Sequence, residues 1–265
     1  MQSAIVIPAR FGSSRFPGKP LHPIRGISLL ERTWRIASEA GADLVLVATD
    51  DERIEMHAQS FGAQVVRTSD RLENGTERVH EAIKNFGVNP QIILNLQGDA
   101  VLTPPWVLSE LLEAMRRDPS IKMATPASKL SLQQYQELAA KKASGIVGGT
   151  LVVFDKKGNA LYFSKSPIPY VRKAGDDSPL YRHIGLYAYT KETLEQYLQL
   201  APSPLEKTEG LEQLRALENC IPIRVVPVDY RGRTHWSVDS PEDVDKVEEI
   251  IAAQGELFAL PVEHK

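Results

Sequence analysis

Apolar residues along this chain gather into short runs separated by stretches with helical spacing. Ala4–Ile7 is four consecutive apolar residues and reads as a buried strand with no solvent face. Leu44–Ala48, Ala63–Arg67 and Ile92–Leu96 repeat that signature. Between them the spacing predicts helices over Ser28–Ala40, Glu52–Phe61 and Thr76–Phe86, with a fourth near Trp106–Arg117. In the first helix Ser28 and Glu31 stand in capping-box spacing, and Leu29, Leu30, Trp34 and Ile36 supply the apolar side. Strand–helix alternation of this kind predicts an α/β fold with a mostly parallel sheet covered on both faces. Ligands of such sheets sit at the carboxyl ends of the strands.

The pattern changes in the middle of the chain. Ile146–Phe154 and Asn159–Phe163 flank the turn-like Asp155-Lys156-Lys157-Gly158, which predicts a β-hairpin. Pro167, Pro169, Pro179, Pro202 and Pro204 then predict a loop-rich stretch. Ile184–Tyr189 alternates as a strand, Glu209–Leu217 reads as a helix and Ile223–Val228 as another strand. A last helix is expected over Pro241–Ala253, with Ser240 as N-cap and Pro241 in the first helical position. The whole reads as one nucleotide-binding core carrying an inserted, more irregular lobe.

Composition adds exclusions. At 265 residues, 42% hydrophobic and 25% charged, the chain suits one large globular α/β domain. A net charge of −3 gives no basic excess for nucleic acid or an anionic membrane. No apolar run approaches the roughly 20 residues of a membrane span, and the N-terminus lacks the pattern of a signal peptide. The single cysteine, Cys220, leaves no intramolecular disulfide or cysteine-based zinc cluster and reads as a packing residue in a short apolar context. The expectation is a soluble cytoplasmic protein.

The candidate chemistry begins where the first strand ends. Pro8–Pro20, PARFGSSRFPGKP, holds the cations Arg10, Arg15 and Lys19 with Gly12, Gly18, Ser13 and Ser14. Such a loop can turn backbone N–H groups inward with guanidinium and ammonium groups around them, which suits a polyphosphate. It is not a P-loop: five residues separate Gly12 from Gly18, and Pro20 replaces the magnesium-binding hydroxyl. The fourth strand ends in Gln97-Gly98-Asp99, and Asp239 precedes the last helix. Each aspartate can close a turn or cap a helix, and each can also hold Mg²⁺ beside phosphate oxygens. Asn74-Gly75-Thr76-Glu77-Arg78 starts a helix with Thr76 as the expected cap; Gly75 permits close backbone approach and Arg78 adds a cation.

Together these pieces resemble one family, the 3-deoxy-manno-octulosonate (Kdo) cytidylyltransferases, or CMP-Kdo synthetases. The stretches that carry the resemblance are IPARFGSSRFPGKPL (Ile7–Leu21), VATDD (Val47–Asp51), NGTERV (Asn74–Val79) and NLQGD (Asn95–Asp99). ALYFSKSPIPY (Ala160–Tyr170), HIGLYAY (His183–Tyr189), PSPLEKTEGLEQLRALE (Pro202–Glu218) and VDSPEDVDKVE (Val238–Glu248) follow in the family's order. The resemblance implies a Rossmann-like sheet of nucleotide-diphosphosugar transferase type, with residues 1–130 and 220–265 as core and 131–219 as acceptor-binding and dimerisation lobe. It implies a homodimer, and transfer of CMP from CTP to an eight-carbon 2-keto sugar acid with Mg²⁺, releasing pyrophosphate for lipopolysaccharide or capsule assembly. Arg10, Ser14, Arg15 and Lys19 would hold the triphosphate, beside Gly12 and Ser13 of the same loop. Ala9, Gly75, Thr76, Arg78 and Gln97 would form the cytidine pocket, and Asp99 and Asp239 would hold the metal. Lys165, His183, Tyr187, Glu212 and Gln213 would line the sugar-acid site.

Three departures from the family's pattern fall on the acceptor side. Asp99 is followed by Ala100-Val101 instead of Glu-Pro, Gly145–Thr150 lacks the lysine of a Val-Lys-Val context, and Lys165 stands where the family has arginine. Lysine keeps the charge but loses the planar fork for a carboxylate. They raise a modified sugar acid, a sialic-type acid or a phosphonate as alternative acceptors, and a non-catalytic nucleotide-binding homologue as an alternative class.

Overall fold

A computed structural model describes residues 1–12, 15–145, 148–173, 175 and 178–260, which divide into two compact units. The first comprises Met1–Leu112 and Tyr230 onward. Its strands are β1 (Ser3–Ala9), β2 (Pro23–Ile24), β3 (Ile27–Ser28), β4 (Leu44–Thr49), β5 (Gln64–Arg67) and β6 (Ile92–Asn95). Helices α1 (Leu29–Ser38), α2 (Glu52–Ser60) and α3 (Gly75–Phe86) alternate with them. The order β5-β4-β1-β6 is parallel throughout, with Val6 opposite Leu46 on one side and Asn95 on the other. Ala4–Ile7 is wholly buried, as a central parallel strand requires.

The unit closes with α9 (Glu242–Gln254), whose Val244, Val247 and Ile251 pack with Leu29, Val101 and Val238. Val101 therefore belongs to the core, and the apolar pair after Asp99 is accommodated by burial rather than by a carboxylate contact. Arg32 of α1 is also buried; it donates to the Ile24 carbonyl and pairs with Glu256 at 2.5 Å, tying α1 to the chain beyond α9.

The second unit runs from Glu113 to Asp229 and contains the end of α4 (Pro105–Arg117). It holds β7 (Met123–Lys129), α5 (Leu132–Ala143), β8 (Leu151–Phe154), β9 (Ala160–Ser164), β10 (Tyr181–His183) and β11 (Tyr187–Thr190). Helices α6 (Lys191–Leu198), α7 (Pro204–Glu209) and α8 (Gln213–Glu218) and strand β12 (Ile223–Val228) complete it. β7 is central: β10 and β11 pair with it antiparallel, and β12 pairs with it in parallel. β10 continues through β8 to β9, with Arg182 opposite Leu151 and Leu151 opposite Ser164.

Several sequence expectations shift. The expected strand Ile146–Phe154 begins only at Leu151, and its first two residues lie outside those described. Ile184–Tyr189 becomes β11 from Tyr187, because the carbonyls of Ile184 and Leu186 turn to the Thr125 hydroxyl. The expected helix Glu209–Leu217 is two helices, broken at Gly210 with φ +61°. The last helix starts at Glu242, and Ser240 does not cap it; Asp243 reaches back to accept from the Ser240 N–H and hydroxyl. Thr76 is not the cap of α3: Asn74 is, accepting from the Glu77 N–H at 2.9 Å. Cys220 is exposed with φ +59°, so it is not a packing residue.

Candidate active site

The loop after β1 folds back on itself at Gly18, whose N–H donates to the Phe11 carbonyl at 2.9 Å. Its φ of +72° is left-handed, and a Cβ there would meet the Phe11 ring at 3.1 Å, so only glycine fits. Lys19 then enters a single 3₁₀ turn, Lys19–Leu21. Its ammonium donates to Asp99 Oδ2 and to the Val238 carbonyl, both at 2.8 Å. Arg15 donates to Asp239 Oδ1 at 3.1 Å. Each candidate metal ligand is thus neutralised by a loop cation. These four residues and Arg10 line one polar cleft in the first unit.

The other walls come from turns at the ends of β6 and before α3. Thr33, fully buried on α1, sets its hydroxyl between the Leu29 carbonyl at 3.0 Å and the Gly98 carbonyl at 3.1 Å, bracing the Gln97-Gly98-Asp99 turn against α1. A Cβ on Gly98 would meet the Pro8 carbonyl oxygen at 3.1 Å, so the turn approaches β1 as closely as backbone allows. Gly75 is similarly constrained: a Cβ would meet Pro8 Cγ at 3.2 Å and the Gln97 amide at 3.5 Å. Asn74, Gly75 and Arg78 line the cleft at the N-terminus of α3, where the helix dipole favours an anion or a carbonyl acceptor.

Ala9, Arg10, Arg15, Lys19, Gly75, Arg78, Gln97, Asp99 and Asp239 therefore converge on one cleft. Thr76 and Gly12 do not line it. Thr76 is buried and accepts from Asn95 Nδ2 at 3.4 Å, while Asn95 accepts from Gln97 Nε2 at 3.3 Å, so it supports Gln97 from behind. Open space surrounds Gly12. Ser13 and Ser14 lie outside the described residues. Arg78 is 3% exposed and engaged by Asp50 at 3.1 Å and Thr68 at 2.5 Å, which makes it a rigid wall. The sequence reading missed Thr33, Asn74 and Pro8; only Asn74, a cap-forming residue before a helix, carries a local signal.

The acceptor candidates all lie in the second unit. His183 is buried, with its ring against Phe163 at 5.0 Å and Tyr187 at 5.6 Å. Its Nε2 stands 2.9 Å from Thr125 Oγ1, whose single hydrogen goes to the Leu186 carbonyl at 2.7 Å. The tautomer compatible with that bond carries its proton on Nε2 and donates it to Thr125. Burial pushes the Tyr187 hydroxyl well above its ordinary value, with Glu212 adding to it. Burial likewise pushes the Glu212 carboxyl up; Arg215 pulls it down and Glu206 pushes it up. Gln213 is buried and its Nε2 has no hydrogen-bond partner among the described residues, an expensive state for a donor without a ligand. Lys165 donates its backbone N–H to Glu209 at 3.0 Å.

No helix among the described residues is long and apolar enough to cross a membrane. A parallel α/β unit that gathers loop cations and Asp99 at the carboxyl ends of its strands, with Asp239 brought in from just before α9, suits a nucleotidyltransferase. The cytidylyltransferase family model matches residues 4–223. A 3-deoxy-manno-octulosonate cytidylyltransferase of Maricaulis maris is 53% identical over 97% of this chain and 100% of its own length. One from Chlamydia abortus is 42% identical over 93% and 92%. The solved structure of CMP:2-keto-3-deoxy-manno-octonic acid synthetase complexed with CTP is 38% identical, covers 96% of this chain and 99% of its own, and superposes with a TM-score of 0.85. The chain belongs to the 3-deoxy-manno-octulosonate cytidylyltransferases.

Proposed function

We propose that this chain transfers CMP from CTP to the anomeric hydroxyl of Kdo, releasing pyrophosphate. The observation that carries the reading is the convergence of Arg10, Arg15, Lys19, Asp99 and Asp239 on one cleft walled by Gly75, Arg78 and Gln97. Arg10, Arg15 and Lys19 hold the triphosphate, and Gly75 and Gln97 receive the base. The hydroxyl attacks the α-phosphorus in line and pyrophosphate departs, so the protein's task is alignment and charge neutralisation. No protein nucleophile is needed, in keeping with exposed Cys220 far along the chain from the loop.

The donor set fits a hard divalent cation. Two carboxylates line the cleft, and Mg²⁺ is commonly held by one or two carboxylates plus phosphate oxygens and water. We assign Asp99 and Asp239 to it. When bound, Mg²⁺ supplies charge at the reacting phosphate. Lys19 and Arg15 pair with the same carboxylates and are placed to engage phosphate oxygens when nucleotide binds.

Lys165, His183, Tyr187, Glu212 and Gln213 receive the sugar acid. The buried, unpartnered Gln213 amide suits hydroxyl and carbonyl oxygens. Exposed Leu161 and Tyr170 in the same unit support pairing of two copies, which light scattering would report as twice the 29.4 kDa chain mass. The deciding experiment measures pyrophosphate release from CTP and Mg²⁺ with Kdo, a sialic acid and a phosphonate acid. Turnover of Kdo above the others is expected. Better turnover of another acid would replace the acceptor, and no release from any would leave a nucleotide-binding homologue.

A further inference from the structure

The second unit holds a lysine that none of the sequence motifs includes. Lys142 lies in the last turn of α5, and its ammonium is shielded from water with no hydrogen-bond partner among the described residues. An ammonium out of water without an acceptor is costly, so the position calls for an anion. Its surroundings are cationic. Burial first, then Arg182 and Lys165, push its pKa below the ordinary lysine value; the one opposing charge is Glu209. Glu209 is already committed: it accepts from the Ser164 hydroxyl at 2.7 Å and from the Lys165 N–H at 3.0 Å.

The fold brings these groups together from four elements. Ser164 ends β9 and leads into Lys165, and Leu151 of β8 stands opposite both Ser164 and Arg182. His183, next in β10, faces the other side of the sheet, where it packs on Phe163 of β9. Gly210 closes α7 with so little room that a Cβ there would meet Lys165 Nζ at 3.0 Å. α5 joins through Leu138: a Cβ on Gly149 would touch both Leu138 at 3.0 Å and Arg182 Nε at 3.8 Å. Three cations thus surround one occupied carboxylate beside the Gly210 turn that leads into α8. Lysine's four side-chain torsions let the ammonium swing onto a ligand without movement of α5.

We propose that Lys142 supplies a carboxylate-binding ammonium to the acceptor site, acting with Lys165 and Arg182 on the acid group of the substrate. This rests on the acid-acceptor reading above and adds to it a residue outside its motifs. A single ammonium is a point charge, so its contribution is affinity for the acid rather than orientation of the reacting hydroxyl.

The test pairs kinetics with direct binding on the full chain. Lys142→Met and Lys142→Arg are compared with wild type for KM toward Kdo and CTP, and for Kdo binding by calorimetry. Retention of the far-ultraviolet spectrum and of CTP binding shows that the variants fold. Expected for Lys142→Met is a roughly tenfold or greater weakening of Kdo binding and a matching rise in its KM, with KM for CTP unchanged. Lys142→Arg, which keeps the charge, restores most of the affinity. Unchanged Kdo binding in Lys142→Met overturns the inference, as does an equal rise in KM for CTP. Wild type that binds Kdo without releasing pyrophosphate overturns the proposed reaction instead, and calorimetry still decides on Lys142.

Discussion

The cleft is organised at the level of single charges. Asp99 is about a quarter exposed and is held by Lys19, which also binds the Val238 carbonyl. Asp99→Asn keeps the shape and removes the negative charge, so it should lower turnover by at least about 100-fold while CTP still binds. Chelating divalent metal should do the same to wild type; retained turnover in either case would remove Asp99 from the metal site. Gly75→Ala probes shape instead. Its new Cβ presses on Pro8 and the Gln97 amide, so KM for CTP should rise several-fold while the melting temperature moves little. An unchanged KM would show that Gln97 yields without cost. Arg10 and Asp99 were legible in the sequence because a cation or an acid soon after a parallel strand points to a ligand at the sheet's edge, and Lys19 because it belongs to the same cation-rich loop. Lys142 and Thr33 were not, because a lysine or threonine within a helix carries no local signal; only the folded chain shows what they face.

At the level of elements, the turn between α7 and α8 presents Glu212 and Gln213. Gly210 breaks the chain there, and Glu206 of α7 clamps Arg215 of α8 through contacts of 2.8 and 2.5 Å. Burial pushes the Glu206 carboxyl up, but the Arg215 guanidinium and the Ser203 N–H outweigh it, leaving it below its ordinary 4.5. A depressed carboxyl contributes stability that is complete above its unfolded value and drains away as pH falls through its folded value. Arg215→Ala should therefore cost about 2–3 kcal/mol at neutral pH, read by urea denaturation, and the difference from wild type should shrink as pH falls from about 5 to about 3. A pH-independent difference would assign the loss to packing against Tyr197, over whose ring Arg215 lies at 5.0 Å. In the first unit β1, β4 and β6 were legible because central parallel strands are unbroken apolar runs, whereas the two-residue strands β2 and β3 carry no such run. β7 and α5 were invisible: Met123–Lys129 is MATPASK, whose buried Thr125 serves a hydrogen-bond network, and α5 buries only Tyr135. Neither presents the period that marks a strand or a helix.

At the level of the whole molecule, a net charge of −3 coexists with a cleft whose loop contributes Arg10, Arg15 and Lys19. The field that attracts a triphosphate is therefore local and set against an anionic background, the condition under which added salt acts on capture more than on chemistry. The Arg15–Asp239 pair is 70% and 50% exposed, so the contact itself contributes little and leaves Arg15 available to phosphate. Lys19, at 15% exposure, is screened far less. Raising sodium chloride from about 20 to about 200 mM at fixed free Mg²⁺ shortens the screening length from roughly 20 Å to below 10 Å. KM for CTP should then rise several-fold while kcat changes less than twofold. Arg15→Gln should start from a higher KM and show a flatter salt dependence, because the exposed charge is the one that salt screens. Equal slopes for wild type and Arg15→Gln would place the salt-sensitive attraction elsewhere on the surface and leave Arg15 as a partner of Asp239 alone.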